Sequence, residues 1–236
     1  MGGFLSDYRV FWREFRQTFH TTGAVAPSGR ALARALTRFA QAGSQANSPT
    51  SCPTSCPTGG VERPRRILEV GPGTGAVTAV LVGRLGPNDR LDLVELNDRF
   101  VARLRERFDT EPKFRAVRER CRVLHQPVEQ VSAEEPYDLL VSGLPLNNFS
   151  VESVEQILDT FRRLLRVGGI LSFFEYIAVR QARAVVSGAQ ERARLRGIGA
   201  ALERVLRAGE IRRDCVLPNV PPAWVHHVEM RAGQTN

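Results

Sequence analysis

Three glycines and a preceding acid occupy positions where they could bind a nucleoside cofactor. Residues 67–78 read ILEVGPGTGAVT, in which Glu69 precedes Gly71, Gly73 and Gly75. A dinucleotide-binding loop spaces its glycines as G-x-G-x-x-G and cradles a pyrophosphate. Here single residues separate the glycines, so the spacing disfavours a pyrophosphate cradle.

A second acid indicates which cofactor this loop would serve. The second predicted strand ends in LVEL, which places Glu95 20 residues after Gly75. A carboxylate at that point accepts hydrogen bonds from both ribose hydroxyls of a nucleoside. The acid-x-G-x-G-x-G pattern followed by this carboxylate is typical of S-adenosylmethionine methyltransferases, in which Glu69 would lie near the cationic methionine end.

Two later loops are expected at the same site. Gln126 follows the third predicted strand, where an acid or amide usually faces the adenine amino group, and Ser142 follows the fourth, on the side of methyl transfer. A simple turn is the alternative for the second loop. The predicted cofactor-binding residues are Glu69, Gly71, Pro72, Gly73, Thr74, Gly75, Glu95, Leu96, Gln126, Pro127, Val128, Ser142 and Gly143.

The elements that must position these residues alternate between strand and helix. Apolar runs predict strands at residues 65–71, 90–96, 121–125, 137–143, 169–177, 215–220 and 224–230. Helices are predicted at residues 75–85, 98–108, 151–165 and 179–207, the last with breaks at its glycines, and Asn97 could cap the second. The alternation predicts an α/β fold with a doubly wound, seven-stranded, mostly parallel sheet, Rossmann-like as in class I methyltransferases, and N-terminal amphipathic helices.

The N-terminal segment has an aromatic face. Residues 4–19 place six aromatic side chains at helical spacing, with arginines beside them. Such a helix could lie in a membrane interface or pack on the protein, and both readings stay open. A second helix is expected from Ser28 to about residue 42. The predicted organisation is residues 1–42 as membrane-associating helices, 43–64 as a flexible linker and 65–236 as the catalytic domain.

Charge and cysteine content limit the possible partners. The net charge is +8 and the basic residues are arginines except for Lys113, which suits an anionic membrane, a polyanion or a solvated basic surface. Cys52 and Cys56, in the tandem SCPT, are expected in a linker and not in a metal site, and Cys121 and Cys215 in the core. No signal or spanning segment is recognised, so we expect a cytoplasmic protein, peripheral on the inner face of the cell membrane.

Several of these segments resemble the bacterial phospholipid N-methyltransferases. They are EVGPGTGAVT, VEL, SGLPLNNF, GGILSFFEY and LPNVPPAWVHH, with TGAVAPSGRALARAL near the start. The resemblance covers residues 15–230 apart from the linker, although Gln126 stands where an acid is common. It implies S-adenosylmethionine as methyl donor, S-adenosylhomocysteine as product, and methylation of phosphatidylethanolamine and its mono- and dimethylated forms toward phosphatidylcholine at an anionic membrane surface.

This chemistry needs an amine with a free lone pair in line with a sulfonium methyl. Glu175 and Tyr176, at the end of the fifth strand, are the predicted catalytic residues, although Glu175 could instead form a buried ion pair with an arginine. The predicted substrate-binding residues are Tyr8, Leu144, Pro145, Arg180, His226 and His227. Because adjacent residues of a strand face opposite sides, at most one of the two histidines should face the site.

Two other functions remain open. An RNA adenine N6-dimethyltransferase would share the glycine loop and VEL, but it normally carries an aromatic residue where this chain reads SGLPL. No nucleic-acid partner is therefore expected. The other alternative is a non-catalytic membrane-binding protein that retains the fold.

Overall fold

The computed structural model describes residues 27–41, 63–132, 134–177, 188–219 and 221–232. Several predictions fall outside these residues. They concern the aromatic N-terminal helix with Tyr8, the linker with Cys52 and Cys56, and Arg180.

The core of the structure is one seven-stranded sheet. Its strands are β1 (Arg66–Val70), β2 (Arg90–Val94), β3 (Cys121–Leu124), β4 (Tyr137–Ser142), β5 (Leu165–Tyr176), β6 (Glu210–Val216) and β7 (Ala223–Glu229). They are arranged in the order β3-β2-β1-β4-β5-β7-β6. The pairs from β3 to β5 are parallel, and β7 runs antiparallel to both β5 and β6. The predicted seven-stranded, mostly parallel sheet is confirmed.

Helices cover both faces of the sheet. They are α1 (Pro27–Leu36), α2 (Thr78–Leu81), α3 (Asp98–Thr110), α4 (Pro112–Arg115), α5 (Val151–Leu164) and α6 (Ala189–Gly209). Ile67 of β1 packs in one core with Leu36 and Phe108, whereas the adjacent Leu68 packs in a second core with Ile157. Since alternate residues of a strand face opposite sides, both faces of β1 are buried, as expected of a doubly wound sheet.

Helix α3 begins with the cap that the sequence predicts. The Asn97 side chain accepts hydrogen bonds from the backbone N–H groups of Arg99 and Phe100, at 3.0 and 3.4 Å. These bonds satisfy two of the free donors at the start of α3. The cap fixes where the chain turns away from the end of β2, directly after Glu95.

Four predicted boundaries were wrong. The helix expected over residues 75–85 is reduced to the four residues of α2, although the N–H of Ala79 already donates to the carbonyl oxygen of Gly75 at 3.0 Å. β5 begins at Leu165, inside the segment predicted as the end of a helix. α6 continues through Gly197, where the Cβ of any other residue would lie 2.7 Å from Val151. The sixth strand runs over β6 and not residues 215–220.

Two cysteines were predicted to be buried in the core. Cys121 is partly buried, but Cys215 is exposed on β6, so the second prediction was wrong. β6 is one of the two edge strands of the sheet, and its sequence EIRRDCV is mostly polar. No helix among the described residues is both long enough and apolar enough to cross a membrane.

Candidate active site

The glycine turn lies at the point where the strand order of the sheet reverses. β1 lies between β2 and β4. After β1 the chain continues to β2 and β3 on one side of it, whereas after β4 it continues to β5 on the other side. The N–H of Gly71 donates to the carbonyl oxygen of Val94 at 2.9 Å, and the N–H of Gly143 donates to that of Val70 at 2.8 Å. These bonds hold the loops after β1, β2 and β4 together, which is where ligands bind in doubly wound sheets.

Two of the glycines are required by close contacts between these loops. A Cβ on Gly143 would lie 2.6 Å from the backbone oxygen of Gly71, and one on Gly71 would lie 2.6 Å from Cδ2 of Leu144. Gly71 also has φ +70°, in the region that favours glycine. Leu144, predicted to bind substrate, is completely buried against the turn.

Gly73 differs from its neighbours because it faces open space. Its φ is +56°, and among the described residues no atom lies within 4 Å of the position that its Cβ would take. A backbone without a side chain beside free space is what a cofactor packed against the turn requires. The geometry therefore fits a nucleoside lying over Gly73.

Glu95 is held beside this space by the backbone. Its Oε2 accepts from the N–H of Gly73 at 3.0 Å, and its Oε1 accepts from those of Leu96 and Asn97 at 2.8 and 2.9 Å. Burial raises the pKa of Glu95, and the three N–H donors act in the opposite direction. Because Oε2 accepts one hydrogen bond among the described residues, it keeps capacity for a hydroxyl donor of a ribose.

Glu69 is the more deeply buried acid of the site. It is 1% exposed, and its Oε2 has no hydrogen-bond partner among the described residues. Burial raises the pKa of Glu69 to about 8, and the charge of Glu95 adds to the rise, whereas Thr78 opposes it. A carboxyl with an unpartnered oxygen fits a cationic group, since an opposite charge would favour its ionised form.

The other predicted cofactor residues surround the turn at various depths. Val128 is buried, and Ser142 is buried with its hydroxyl accepting from the N–H of Leu144 at 3.3 Å. Pro72 is buried, Thr74 is exposed, and Leu96, Gln126 and Pro127 are partly buried. Pro145, predicted to bind substrate, is buried with Leu144. None of these contacts assigns a role to Gln126.

The end of β5 extends beyond the neighbouring β4. The last pair between the two strands is Val141 with Ser172, and β4 ends one residue later, at Ser142. β5 continues to Tyr176, paired there with β7 alone. At about 3.3 Å per residue, Glu175 lies roughly 7 Å beyond the end of β4. The predicted catalytic carboxylate therefore lies past the end of β4, at the edge of the sheet where the loops collect.

Glu175 belongs to a chain of acid and imidazole groups. Its Oε2 lies 3.4 Å from Nε2 of His226, whose Nδ1 lies 2.6 Å from Oε1 of Glu210. Glu175 is 8% exposed, and His226 is buried and stacks on Phe173. Glu210 pairs in turn with Arg213. The sequence indicated Glu175 and His226, but Glu210 was missed because the start of β6 was not recognised.

Tyr176 and His227 lie on the opposite face of the sheet. Tyr176 packs edge-on against Phe174, and burial raises the pKa of its phenol. The Nδ1 of His227 lies 2.8 Å from the hydroxyl of Ser172, and burial lowers the pKa of His227 to about 4. The two histidines therefore face opposite sides, as expected, and a neutral His227 would not supply positive charge to a phosphate.

The NVPPAWV segment lies beside the end of β5. The N–H of Ile177 donates to the carbonyl oxygen of Pro222 at 2.7 Å, and the Asn219 side chain donates to that of Pro221 at 2.7 Å. This segment, which is part of the family resemblance, therefore borders the same edge of the sheet as Glu175.

One supporting residue was missed entirely by sequence reasoning. Arg107 of α3 donates from Nη1 to the carbonyl oxygens of Thr74 and Gly75, both at 2.8 Å. Its other nitrogens pair with Glu111, and its guanidinium lies 4.2 Å from the centre of the Phe114 ring. Arg107 fixes the glycine turn from outside. Its partners in the turn, Thr74 and Gly75, lie more than 30 positions away, so no local pattern indicates these contacts.

Comparisons with known proteins agree with this geometry. Residues 67–169 match the family model described as a methyltransferase domain. An O-methyltransferase from Bacillus cereus, solved in complex with SAH, superposes with a TM-score of 0.60 at 13% identity, covering 96% of this chain and 90% of that chain. At that identity the likeness concerns the fold.

Two curated relatives differ in the acceptors that their names state. The ornithine lipid N-methyltransferase of Singulisphaera acidiphila is 33% identical over 108 residues, which is 46% of this chain and 56% of the relative. The tRNA1(Val) (adenine(37)-N6)-methyltransferase of Pedobacter heparinus is 27% identical over 193 residues, 74% of this chain and 79% of the relative. The chain thus spans little more than half the length of the first relative.

The turn geometry, the two acids and the comparisons lead to the same class of domain, for which S-adenosylmethionine is the expected cofactor. Residues 67–169 are therefore a methyltransferase domain, built on the class I fold of S-adenosylmethionine-dependent methyltransferases.

Proposed function

We propose that this chain is a phospholipid N-methyltransferase. It would transfer methyl groups from S-adenosylmethionine to the amine of phosphatidylethanolamine and of its mono- and dimethylated forms, toward phosphatidylcholine. It would act as a peripheral protein on the inner face of the cell membrane. The observation that carries the choice of an amine acceptor is the Glu175–His226–Glu210 chain at the free end of β5.

The cofactor would be held by the residues around the glycine turn. Gly73 provides backbone without a side chain, Glu95 provides an acceptor for ribose hydroxyls, and Glu69 provides an acid for the cationic end. When bound, S-adenosylmethionine supplies an electrophilic methyl group. The buried walls formed by Leu144 and Pro145 would keep water away from that group.

Glu175 would keep the acceptor nitrogen reactive. An ammonium has no lone pair, so each transfer requires that one proton leave the nitrogen. A carboxylate at the end of β5 can accept that proton, and His226 and Glu210 provide groups through which it can leave the site. A negative carboxylate would also attract the charged product of each methylation.

A lipid acceptor is supported by three separate features. The relative from Singulisphaera acidiphila is named as an N-methyltransferase of a lipid. The aromatic segment at residues 4–19, which lies outside the described residues, has the composition of an interfacial helix, and the net charge of +8 favours an anionic surface. A two-chain lipid is presented at such a surface.

Methylation of an RNA adenine is the second candidate, because the tRNA-modifying relative aligns over most of both chains. Enzymes of that class usually stack the target base on an aromatic side chain after β4. In this chain the corresponding residues are Pro145 and Leu146, which are both buried, and the nearby Phe149 is buried in the core. The site therefore favours a lipid amine over a base.

The test is methylation of defined vesicles. The full chain is incubated with S-adenosylmethionine and vesicles of phosphatidylethanolamine, ornithine lipid or phosphatidylcholine, and the lipids are analysed by mass spectrometry. We expect methylated products from phosphatidylethanolamine and none from phosphatidylcholine, whose quaternary nitrogen has no lone pair. Products from ornithine lipid alone would contradict the proposed acceptor but keep an amino lipid, and no product from any vesicle would overturn the proposal.

A further inference from the structure

A cleft lined by arginines lies away from the glycine turn, between α1 and the outer strand β6. Its volume is ≈ 380 Å³, and its walls include Arg34 and Arg38 of the α1 side, Arg84 after α2, and Asp214 and Cys215 of β6. Arg34, Arg38 and Cys215 are exposed, so solvent reaches the cleft. The volume lies in the range of small-ligand sites.

Positive charge exceeds negative charge in this cleft. Asp214 is the one lining carboxylate among the residues that the structure describes, and that group already pairs with Arg38 at 2.7 Å and with Arg212 at 2.9 Å. Arg84 donates from Nη1 to the hydroxyl of Thr37 at 2.7 Å and also to the Thr37 carbonyl oxygen, so one end of its guanidinium is fixed. Arg34 has no ion pair among the described residues.

The arginines repel one another. Burial lowers the pKa of Arg84, and the charges of Arg38 and Arg34 lower it further. Like charges gathered around a cleft are stabilised when an anion binds between them, and guanidinium groups match the oxygen spacing of phosphate. Apolar contacts from Ala31, Ala35 and Val216 complete the walls.

We propose that this cleft is a binding site for a phosphate group, held by Arg34, Arg38 and Arg84 and separate from the residues around the glycine turn. The phosphate could belong to a soluble phosphorylated compound or to a phospholipid headgroup, which share this chemistry. The proposal does not depend on which acceptor the methyltransferase domain uses.

Cys215 offers a reporter within the cleft. The full chain is treated with a neutral maleimide at constant ionic strength, and alkylation of Cys215 is followed by peptide mass spectrometry. The soluble probe is inorganic pyrophosphate, and the lipid probe is phosphatidic acid vesicles compared with phosphatidylcholine vesicles. We expect a bound phosphate to slow alkylation of Cys215 at least fivefold. Protection by pyrophosphate would identify a soluble source, and protection by phosphatidic acid vesicles alone would identify a lipid headgroup.

The matched variants are Arg34→Glu and Arg30→Glu. Both arginines lie on α1 and are exposed, but Arg30 does not line the cleft. We expect Arg34→Glu to lose the protection and Arg30→Glu to keep it, with binding of S-adenosylmethionine unchanged in both. Equal loss of protection in the two variants would show that the net charge of the protein, and not the cleft, causes the protection, and it would overturn the proposal. Absence of protection in the unmodified chain would also overturn it.

Discussion

The carboxyl group of Glu69 is buried, and its environment differs strongly from water. Glu69 is the last residue but one of the buried strand β1, and one of its oxygens lacks a partner among the described residues. Burial raises its pKa to about 8, and the charge of Glu95 adds to the rise. The free protein therefore holds Glu69 mainly protonated near neutral pH. A cationic ligand beside it would favour ionisation, so binding and proton release should be coupled.

This coupling predicts the pH dependence of cofactor affinity. If S-adenosylmethionine binds the ionised form of Glu69, its affinity should rise about tenfold per pH unit below about pH 8 and level off above. Isothermal titration in buffers of different ionisation enthalpy measures both the affinity and the released proton. Glu69→Gln should bind more weakly with little pH dependence. A constant affinity in the unmodified chain from about pH 6 to about pH 9 would refute the coupling.

The same shift has a defined effect on stability. The folded-state pKa lies above the unfolded value of 4.5, so the folded chain binds the extra proton between these two values. The contribution of Glu69 to stability is therefore complete below about pH 4.5 and is lost as the pH rises to about 8. Thermal unfolding should show Glu69→Gln gaining stability relative to the unmodified chain over that window.

At the scale of elements, the glycine turn depends on α3 as much as on its own sequence. Arg107 bonds two carbonyl oxygens of the turn while Glu111 and the Phe114 ring hold its guanidinium in place. Long-range contacts of this kind set the shape of a loop whose glycines alone would permit many conformations. The cap at Asn97 fixes the start of the same helix.

Removing this brace should weaken cofactor binding. We expect Arg107→Gln to raise the Kd for S-adenosylmethionine about tenfold, because two hydrogen bonds from a charged donor to the turn are lost. The turnover rate at saturating cofactor should change little. Arg103→Gln is the control, since Arg103 lies one turn earlier on α3 and contacts Glu106 on the surface. Equal Kd values for the two variants would contradict a role of Arg107 in cofactor binding.

Sequence reasoning found the elements with strong apolar patterns and missed those without. β1, β2 and β4 are buried on both faces, so their apolar runs indicated them directly. β6 is a polar outer strand, and its start was missed together with Glu210. The length of α2 was overestimated, although Val77 and Val82 on either side of it do have helical backbone conformations. Partners distant in sequence, such as Arg107 and Thr74, leave no local pattern.

At the scale of the whole molecule, the fold brings the proposed cofactor site and the proposed catalytic carboxylate to the same edge of the sheet. The glycine turn, the loop after β4 and the extended end of β5 all lie at the carboxyl ends of the parallel strands. The basic cleft between α1 and β6 is made by different residues. A membrane-bound acceptor would have to approach the sheet from the carboxyl ends of the parallel strands.

The aromatic N-terminal segment is the proposed membrane contact. Replacing Phe11, Trp12 and Phe15 together by serine should lower the fraction of protein that sediments with anionic vesicles at least fivefold, because the apolar area available to the interface is lost. Binding of S-adenosylmethionine should stay within about twofold, since the turn residues are unchanged. Val167→Ser, which removes a side chain that is 65% exposed elsewhere, is the control. Unchanged sedimentation of the triple variant would contradict a membrane role for this segment.

The most direct measurement is a competition for the methyl group in a single tube. The full chain is mixed with S-adenosylmethionine labelled in its methyl group, phosphatidylethanolamine vesicles and transfer RNA, and the lipid and RNA are then separated and counted. We expect label in the lipid, at the headgroup nitrogen, and none in the RNA. Label in the RNA alone would contradict it and favour adenine methylation, and label in neither would contradict both.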